Sequence, residues 1–358
     1  MNSFEYIIPE NYKTKYDFEE LQLLIEKIKE TFEKIFSENL NLIKIQSPLF
    51  VDSKYDLNDN LNGETPVYFN DINGEKFEIV HSLAKWKRYQ LCKLNKFNGV
   101  LTMMNAIRRE ENYDNIHSIY VDQWDWEMKI NERSLQKLKV VVNKIFRSIK
   151  QTIKHLNLDV DLPDKVFFIH SQELEFMYPN LTPKERENEI TKKEKFVCLI
   201  GIGCNLMNSN LPHDNRAVDY DDWSTEVGKN LFGLNADLLV YHKKLNCALE
   251  ISSMGIRVNS KSLFKQLRER KILNQEFENL KWPEDLNLIT TNLKKYYNHD
   301  VKYISDILQN NLPQSIGGGI GISRFIMWIL DLIHIGEIQV SNWPNKKILI
   351  ENGISILE

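Results

Sequence analysis

Residues 316–324 read IGGGIGISR and run directly into an apolar segment, 322–333, whose pattern predicts a helix. The glycines match neither the phosphate-binding pattern G-x-x-x-x-G-K-[ST] nor a complete G-x-G-x-x-G after a first strand. A glycine-rich strand lets another backbone, or a planar base, lie close against it. Taken alone, the stretch fits close packing and ligand binding about equally well.

The segments before this stretch predict helices and strands that do not alternate regularly. Residues 17–38 and 135–156 carry apolar residues at helical spacing, and the lysine-rich run 183–195 predicts a solvated helix face. Pro48 interrupts the first strand and points to an edge or a bulge. Predicted strands lie at residues 40–51, 77–82, 117–126, 195–203, 236–242 and 247–252.

No internal repeat, low-complexity tract or linker separates these elements. We therefore expect one domain, 1–358, of the α+β class, with a mostly antiparallel mixed sheet flanked by helices. A doubly wound parallel sheet is disfavoured because strands and helices do not alternate.

Composition indicates a globular protein without an obvious polyanionic partner. The chain has 358 residues with 42% hydrophobic content, and its 46 basic and 50 acidic residues leave a net charge of −4, so nucleic acid is not an expected partner. The four cysteines form no C-x-x-C pair, so neither a zinc site nor a redox pair is predicted. No apolar run reaches the roughly 18 residues of a bilayer span, and the N-terminus lacks a signal-peptide pattern. We expect a cytoplasmic protein with no membrane partner.

Two basic segments are candidates for binding anions. Residues 81–88 read HSLAKWKR, and on an extended backbone Lys85 and Lys87 would point to one face and could hold a carboxylate. In isolation, a lysine-rich surface turn explains this octet better. Residues 106–111 read AIRREE, in which Arg108 follows an apolar strand. Its planar guanidinium suits phosphate oxygens, although the pattern alone is common on surfaces.

Residues 120–127 read YVDQWDWE and alternate acidic or amide groups with aromatic ones. On a strand whose aromatic face packs into the core, Gln123 and Asp125 share the opposite face with Val121 and Glu127. That face could recognise an ammonium and an amide-sized group in a cleft. The alternative is an aromatic core strand whose polar residues face solvent.

Carboxylates gather in two later segments. Residues 219–224 read DYDDWS, and Asp237 and Glu250 follow on two predicted strands. Such a density suits Mg²⁺, which takes one or two carboxylates together with phosphate oxygens and water. A solvated acidic loop explains 219–222 equally well. Glu250 is harder to dismiss, because a carboxylate within an apolar strand needs a partner.

In this order the pieces resemble the three motifs of class II aminoacyl-tRNA synthetases: a strand with Pro48, the pair Arg108 and Glu110, and a glycine-rich strand that ends at Arg324. The strings HSLAKWKR, VDQWDWE, DYDDWST, SSMGIR and GGGIG resemble, more narrowly, the ammonia-dependent aspartate–ammonia ligases, also called asparagine synthetase A. The likeness extends from about Pro48 to Trp343. It implies a class II synthetase-like catalytic domain and ATP-dependent amidation of aspartate to asparagine through a β-aspartyl-adenylate, with release of AMP and pyrophosphate.

The resemblance also assigns roles to individual residues through their match to the family's motifs. Arg108 would bind the α-phosphate, and Arg324 would stack on adenine and reach the terminal phosphate. The implied catalytic residues are Arg108, Asp59, Lys87 and Gln123. The implied aspartate pocket consists of Asp59, Ser82, Lys87, Gln123, Asp125 and Asp221. The implied ATP-binding residues are Arg108, Ser118, Asp237, Glu250, Ser253, Arg257 and Arg324, and the implied metal ligands are Asp237 and Glu250.

The same resemblance implies Mg²⁺ with ATP as cosubstrate, and a homodimer, because the first class II motif generally forms a dimer interface. No glutamine-hydrolysing module is recognisable, so ammonia is the expected nitrogen donor. One alternative is a tRNA synthetase or a paralogue that delivers an amino acid to a macromolecule, which should carry a partner-binding domain and a more basic charge. The other is a non-catalytic regulatory paralogue, which should have lost the phosphate arginines or the metal carboxylates. All of them are present in the sequence.

Overall fold

The computed structural model describes residues 6–59, 65–272, 280–297 and 300–358. In these ranges the helices are α1 (Phe18–Leu40), α2 (Ala84–Leu91), α3 (Leu135–His155), α4 (Ser171–Met177), α5 (Pro183–Glu194), α6 (Ser260–Glu269), α7 (Leu286–Tyr297), α8 (Lys302–Leu308), α9 (Ile322–Ile329) and α10 (Lys346–Glu351). The strands are β1 (Leu42–Lys44), β2 (Phe50–Asp52), β3 (Tyr68–Asn70), β4 (Lys76–Ile79), β5 (Gly99–Ile107), β6 (Tyr120–Lys129), β7 (Phe167–His170), β8 (Phe196–Ile200), β9 (Glu226–Gly228), β10 (Leu231–Phe232), β11 (Asn235–His242), β12 (Cys247–Ile256) and β13 (Ser315–Gly321).

Eight of these strands form one mixed sheet in the order β1-β5-β6-β13-β12-β11-β8-β7. Neighbours in the sheet are antiparallel except for the outermost pairs, β1 with β5 and β7 with β8. Strands β2, β4 and β3 form a separate small sheet, and β9 pairs with β10. The expected α+β class, with a mostly antiparallel mixed sheet and flanking helices, is confirmed.

Helix α1 covers one face of the large sheet. It begins after Asp17, whose side chain accepts a hydrogen bond from a first-turn N–H, and it ends where Asn41 adopts a left-handed conformation. Phe32 packs against Trp124 of β6, with ring centroids 4.6 Å apart. The helix predicted at 17–38 is confirmed, and its buried residues recur at helical spacing: Leu21, Ile28, Phe32, Phe36 and Leu40.

Strand β6 has an aromatic face and a polar face. Trp124 and Trp126 are fully buried in the apolar core, and the residues that alternate with them point to the other side of the sheet. Asp125 and Glu127 on that side are also buried. The predicted alternation is confirmed, and the polar face does not lie open to solvent.

The glycines of β13 make room for this polar face. In the register of the sheet, Gly317 lies opposite Glu127 and Gly319 opposite Asp125. A Cβ atom on Gly317 would collide with the Glu127 carboxylate, and one on Gly319 would collide with the Gln123 side chain. The glycines therefore permit close packing, and the groups that they pack against are polar side chains.

Three expectations about local structure were wrong. Lys85 and Lys87 lie on α2 and not on an extended strand; two positions apart on a helix they face different directions, and both are buried, so the octet is not a surface turn. Residues 40–51 form β1 and β2 in different sheets, with Pro48 between them. Helix α9 ends at Ile329, because the chain turns left-handed at Asp331.

Helices α6, α7 and α8 surround a second apolar cluster beside the main core, which includes Leu263, Leu293 and Ile304. Among the helices in the described ranges, none has both the length and the apolar composition of a bilayer-crossing segment.

Candidate active site

The polar face of β6 borders a cavity of about 280 Å³. Parts of β12 and β13, the first turn of α9 and the segment 214–221 also contribute to its walls. The cavity brings together all of the predicted site residues except Asp237: Asp59, Ser82, Lys87, Arg108, Ser118, Gln123, Asp125, Asp221, Glu250, Ser253, Arg257 and Arg324. Asp237 lies on β11, opposite Ser253 of β12.

A set of buried, mutually paired charges forms what we call the floor of the cavity: Lys87, Asp125, Glu127, Asp221 and Arg257. Lys87 Nζ donates to Asp125 Oδ1 at 2.7 Å and to the carbonyl oxygen of Gly318 at 3.1 Å. Burial lowers the pKa of Lys87, and Asp125 opposes that shift. The lysine is 1% exposed, so its ammonium group is held by protein oxygens at the edge of the cavity.

Arg257 is the centre of the floor. Its Nε and NH2 groups donate to the Glu127 carboxylate at 2.8–3.0 Å, and NH1 donates to Asp221 at 2.5 Å. The Ser315 hydroxyl donates to Glu127 at 2.6 Å. Burial disfavours the charged guanidinium, but Glu127 and Asp221 outweigh that effect and raise the pKa of Arg257. All three of its nitrogen groups are occupied by protein carboxylates.

The two lysines of α2 serve separate carboxylates. Lys85 forms ion pairs of 2.7 Å with Asp56 and with Asp219, and it does not line the cavity that contains Lys87. The expectation that the two lysines hold one carboxylate together is wrong, because the helix directs them to different partners.

Ser82 lies just before α2, and Asp59 is brought close to it in space. His81 Nδ1 donates to the carbonyl oxygen of Asp59 at 3.1 Å, and the Ser82 hydroxyl accepts from the Ala84 N–H at 3.1 Å. Burial and the interaction with Asp59 raise the pKa of Tyr220. These contacts place the Asp59 side chain next to the segment that carries Asp221.

Three further arginines line the cavity, and we call this group the rim: Arg108, Arg216 and Arg324. Arg108 follows the end of β5, and its Nε makes no hydrogen bond within the described ranges. Arg324 lies in the first turn of α9, where Nε donates to the Ile116 carbonyl at 3.0 Å and NH1 to the Glu250 carbonyl at 3.3 Å. Arg324 therefore donates only to neutral carbonyl oxygens, and Arg108 Nε has no acceptor in the described ranges. Neither positive charge is neutralised by a carboxylate in these contacts, so both remain available to an anion.

Asp122 explains why α9 begins where it does. Its Oδ1 accepts from the Ser323 hydroxyl at 2.6 Å and from the Ser323 N–H at 3.2 Å, so it caps the helix from β6. Ser118, which was predicted to bind ATP, donates to Gln339 at 2.5 Å and to the Tyr120 carbonyl at 2.8 Å.

Asp237 and Glu250 lie on neighbouring strands around one cation. Arg216 NH2 forms an ion pair with Asp237 Oδ1, and Asp237, Glu250 and Asp214 together raise the pKa of Arg216 against the effect of burial. Burial also raises the pKa of Asp237. In the described residues no group of three or more His, Cys, Asp or Glu side chains is arranged to hold a metal.

The sequence analysis missed Arg216, Asp122, Tyr220 and Gln339, all of which line the cavity. Tyr220 lies within the acidic run 219–222 and Asp122 within the alternating strand, and Arg216 lies three residues before the acidic run, so all three were in or near segments already singled out. Nothing in the sequence around Gln339 marks it.

The fold resembles solved class II synthetases. Asparaginyl-tRNA synthetase of Entamoeba histolytica in complex with asparaginyl-adenylate superposes with a TM-score of 0.59 at 15% identity, over 88% of this chain and 64% of that one. The Pyrococcus horikoshii enzyme, also complexed with asparaginyl-adenylate, gives 0.59 at 15% identity, over 87% and 66%. This chain spans slightly less than two thirds of each synthetase, and the likeness concerns the fold, which confirms the predicted class II architecture.

Sequence relatives extend over nearly the full length of the chain. The profile of the aspartate–ammonia ligase family matches residues 19–295 and 283–352. The aspartate–ammonia ligase of Clostridium tetani is 46% identical over 98% of this chain and 97% of its own, and that of Ruminiclostridium cellulolyticum is 43% identical over 97% of each. The chain therefore belongs to the aspartate–ammonia ligase family and is a ligase of the type that joins ammonia to aspartate.

Proposed function

We propose that this cavity forms asparagine in two steps from aspartate, ammonia and ATP. An oxygen of the substrate's β-carboxylate attacks the α-phosphorus, and pyrophosphate leaves. Ammonia then attacks the β-carbonyl carbon of the aspartyl-adenylate, loses a proton, and AMP departs with the bridging oxygen. The observation that carries the proposal is the meeting, in one cavity, of an arginine rim for phosphates and a lysine–carboxylate floor for a small zwitterion.

The rim arginines would bind ATP. Arg108 has an unoccupied Nε and a planar fork that suits two phosphate oxygens, so we assign it to the α-phosphate, where negative charge develops. Arg324 keeps its guanidinium against the carbonyls of Ile116 and Glu250, and we assign it to adenine and the terminal phosphate. Ser118 and Ser253 line the same cavity and would contact the nucleotide.

Asp237 and Glu250 fit Mg²⁺, because Asp237 already pairs with a cationic side chain and the charge of Glu250 acts on the same guanidinium group. Two protein carboxylates are what Mg²⁺ needs when phosphate oxygens and water supply the rest of its ligands. Bound there, the metal would neutralise charge on the triphosphate. Positioning and charge neutralisation are the main requirements of phosphoryl and adenylyl transfer, and no protein nucleophile is needed.

The floor would bind aspartate. Lys87 is fixed by Asp125 at 2.7 Å and can share its ammonium group with a substrate carboxylate. Asp59 or Asp125 would pair with the substrate's ammonium group, while Ser82 and Gln123 complete the pocket. Asp221 is engaged by Arg257, so we assign it to the substrate's surroundings and not to a single contact.

We also assign the protein to a homodimer whose interface includes α1 and the strand region around Pro48. Phe18 and Leu23 of α1 are 68% and 74% exposed, and Leu49 and Phe50 beside Pro48 are 53% and 44% exposed. Exposed apolar side chains of this kind favour a two-fold contact. Native mass spectrometry at micromolar concentration would test it, and a fully active monomer would contradict it.

The decisive experiment separates the two steps. With aspartate, ATP and Mg²⁺ but no ammonia, the protein should catalyse exchange of labelled pyrophosphate into ATP. Adding ammonium should then yield equimolar AMP and asparagine, and glutamine should not replace it. Exchange that is absent or independent of aspartate would rule out the adenylate, and ADP in place of AMP would rule out the adenylyl transfer.

A further inference from the structure

Arg216 holds the position that the proposed function gives to a metal ion. Its NH2 group pairs with Asp237, and the charge of Glu250 also acts on its guanidinium. We propose that Arg216 is an internal substitute for the metal: it neutralises the Asp237 and Glu250 carboxylates in the ligand-free enzyme and moves to the triphosphate when Mg²⁺ enters with ATP. The inference rests on the proposed function, because it takes ATP with Mg²⁺ as the ligand.

The ionised Asp237 carboxylate requires a cation whether or not ATP is bound. Asp237 is 4% exposed and lies in the interior of β11, where a charge without a counter-ion is strongly unfavourable. A guanidinium group from the same chain supplies that charge in the absence of metal. A divalent cation at the same carboxylate would repel the guanidinium group and so favour its departure from Asp237.

Arg216 is attached in a way that allows it to move. It lies in the irregular connection between β8 and β9, and its Nε makes no hydrogen bond within the described ranges. NH1 contacts the Asn215 carbonyl at 3.1 Å and the exposed carboxylate of Asp214 at 3.5 Å. Arg257 in the floor, by contrast, has every nitrogen group on a buried carboxylate.

The main chain around Arg216 is anchored by contacts that do not involve its side chain. The Glu175 carboxylate accepts from the Asn208 and Ser209 N–H groups at 3.1 Å each, and Trp223 Nε1 donates to the Ala217 carbonyl at 3.2 Å. Arg216 borders the site cavity and also a second cavity of about 690 Å³. A change of rotamer can therefore carry the guanidinium from Asp237 towards phosphates without moving the segment.

The first test measures cation binding without ATP. Arg216→Met should melt several degrees below the parent protein in alkaline buffer without divalent ions, because its carboxylates lack a counter-ion. Mg²⁺ should restore most of that loss, while the parent protein should hardly respond and potassium at equal ionic strength should not substitute. Adding Asp237→Asn should abolish the response to Mg²⁺. Arg270→Met is the matched control, because Arg270 borders the same second cavity but donates to the Gly203 carbonyl.

The second test measures whether the Arg216 guanidinium group acts on the triphosphate once Mg²⁺ is bound. In aspartate-dependent pyrophosphate exchange at saturating Mg²⁺ and ATP, Arg216→Met should lose about tenfold or more in kcat even though its stability is restored. Arg216→Lys, which keeps the charge and should fold without metal, should show the same kinetic loss to a smaller degree.

Absence of Mg²⁺ rescue in Arg216→Met, or a rescue that survives Asp237→Asn, would overturn the inference. Normal exchange in both arginine variants would also overturn it, since Arg216 would then be only a fixed counter-ion. If the parent protein showed no aspartate-dependent exchange, the proposed function would fail instead, and the melting experiment would still report whether Arg216 and a divalent ion compete for the carboxylates.

Discussion

The floor of the cavity contains a buried arginine and the rim contains half-buried ones, and the two groups bond differently. Arg257 in the floor donates every nitrogen group to Glu127 or Asp221, so the protein satisfies its charge completely. Arg108 and Arg324 in the rim have an unused Nε or bond to neutral carbonyls. The contrast indicates that a buried cation whose partners are all protein carboxylates maintains the shape of the site, whereas one with spare donors is available to a ligand.

Removing the floor cation should cause the greatest loss of stability. Arg257→Met leaves the Glu127 and Asp221 carboxylates, which are 0% and 2% exposed, without their counter-ion. Breaking a buried pair from one side typically costs about 3–5 kcal/mol. We expect the free energy of unfolding in urea to fall by that amount, and activity to fall with it because Gln123 and Asp125 lie on the same strand as Glu127.

Arg268→Met is the matched control, since Arg268 lies exposed on α6 and its loss should change the unfolding free energy by no more than about 0.5 kcal/mol. If Arg257→Met cost less than about 1 kcal/mol, the floor charges would be as well solvated as a surface pair, and the contrast with the rim would disappear.

Removing Arg108 from the rim should affect catalysis and not folding. Arg108→Ala should lower kcat by about 10²–10³, the scale of losing one donor to a developing charge. Arg108→Lys should recover little, because a point charge cannot make the bidentate contact. Steady-state kinetics would measure the loss in kcat, and urea denaturation of the same preparations would show whether folding is unchanged.

Arg109→Ala controls for this change, because Arg109 is the next residue, is half-exposed and pairs with Glu110 at the surface. It should retain activity. A near-normal kcat for Arg108→Ala with an unchanged unfolding midpoint would refute the assignment of Arg108 to the α-phosphate.

Removing Arg324 should mainly weaken the binding of ATP. Arg324→Ala removes stacking on the base and a contact to phosphate that is already present before reaction, so the KM for ATP should rise about tenfold and by at least the factor that kcat falls. Varying ATP at saturating aspartate and ammonium would measure it. A fall in kcat without a rise in KM would place Arg324 on the reacting phosphate and remove the division of labour within the rim.

The two regions also differ in how far sequence could anticipate them. The alternation in 120–127 predicted the aromatic and polar faces of β6, because a strand has a period of two and only one face enters the apolar core. The partners on the polar face could not be derived: Arg257 and Glu127 are 130 positions apart, and Lys87 and Asp125 are 38 apart. Such pairs exist only after the sheet has formed.

The local sequence pattern was misleading where one sequence is compatible with two backbone conformations. HSLAKWKR suggested an extended backbone or a surface turn, but it contains the first turns of α2, with Ser82 accepting from the Ala84 N–H. Arg216 carried no signal of its own, since its significance comes from Asp237, which lies 21 positions away on another element. The resemblance to known motifs supplied most site residues because it reports spatial neighbours that periodicity does not.

Substitution of Asp122, which connects floor and rim, should have a smaller effect on stability and on ATP binding. Asp122 is on β6, the strand of the floor, and caps α9, the helix that presents Arg324. Asp122→Ala removes the cap and should lower the unfolding free energy by about 1 kcal/mol, with a modest rise in the KM for ATP. Asp122→Asn keeps an oxygen at the Oδ1 position and should preserve both the helix start and the KM.

The pH dependence of stability separates the parent protein from the Asp122→Asn variant. Burial raises the pKa of Asp122 above its usual value, so the folded state favours the protonated acid. The contribution of that group to stability is therefore fully present below its unfolded pKa and is lost as the pH rises through the folded value. The amide introduced by Asp122→Asn does not titrate, so this variant should match the parent protein in acid and become the more stable of the two towards neutral pH. Urea midpoints of both proteins, measured across that pH range, would test this. If the parent protein instead gained stability over Asp122→Asn as the pH rose, the prediction would be wrong. The charged carboxylate, held by Ser323, would then be the form that joins floor and rim.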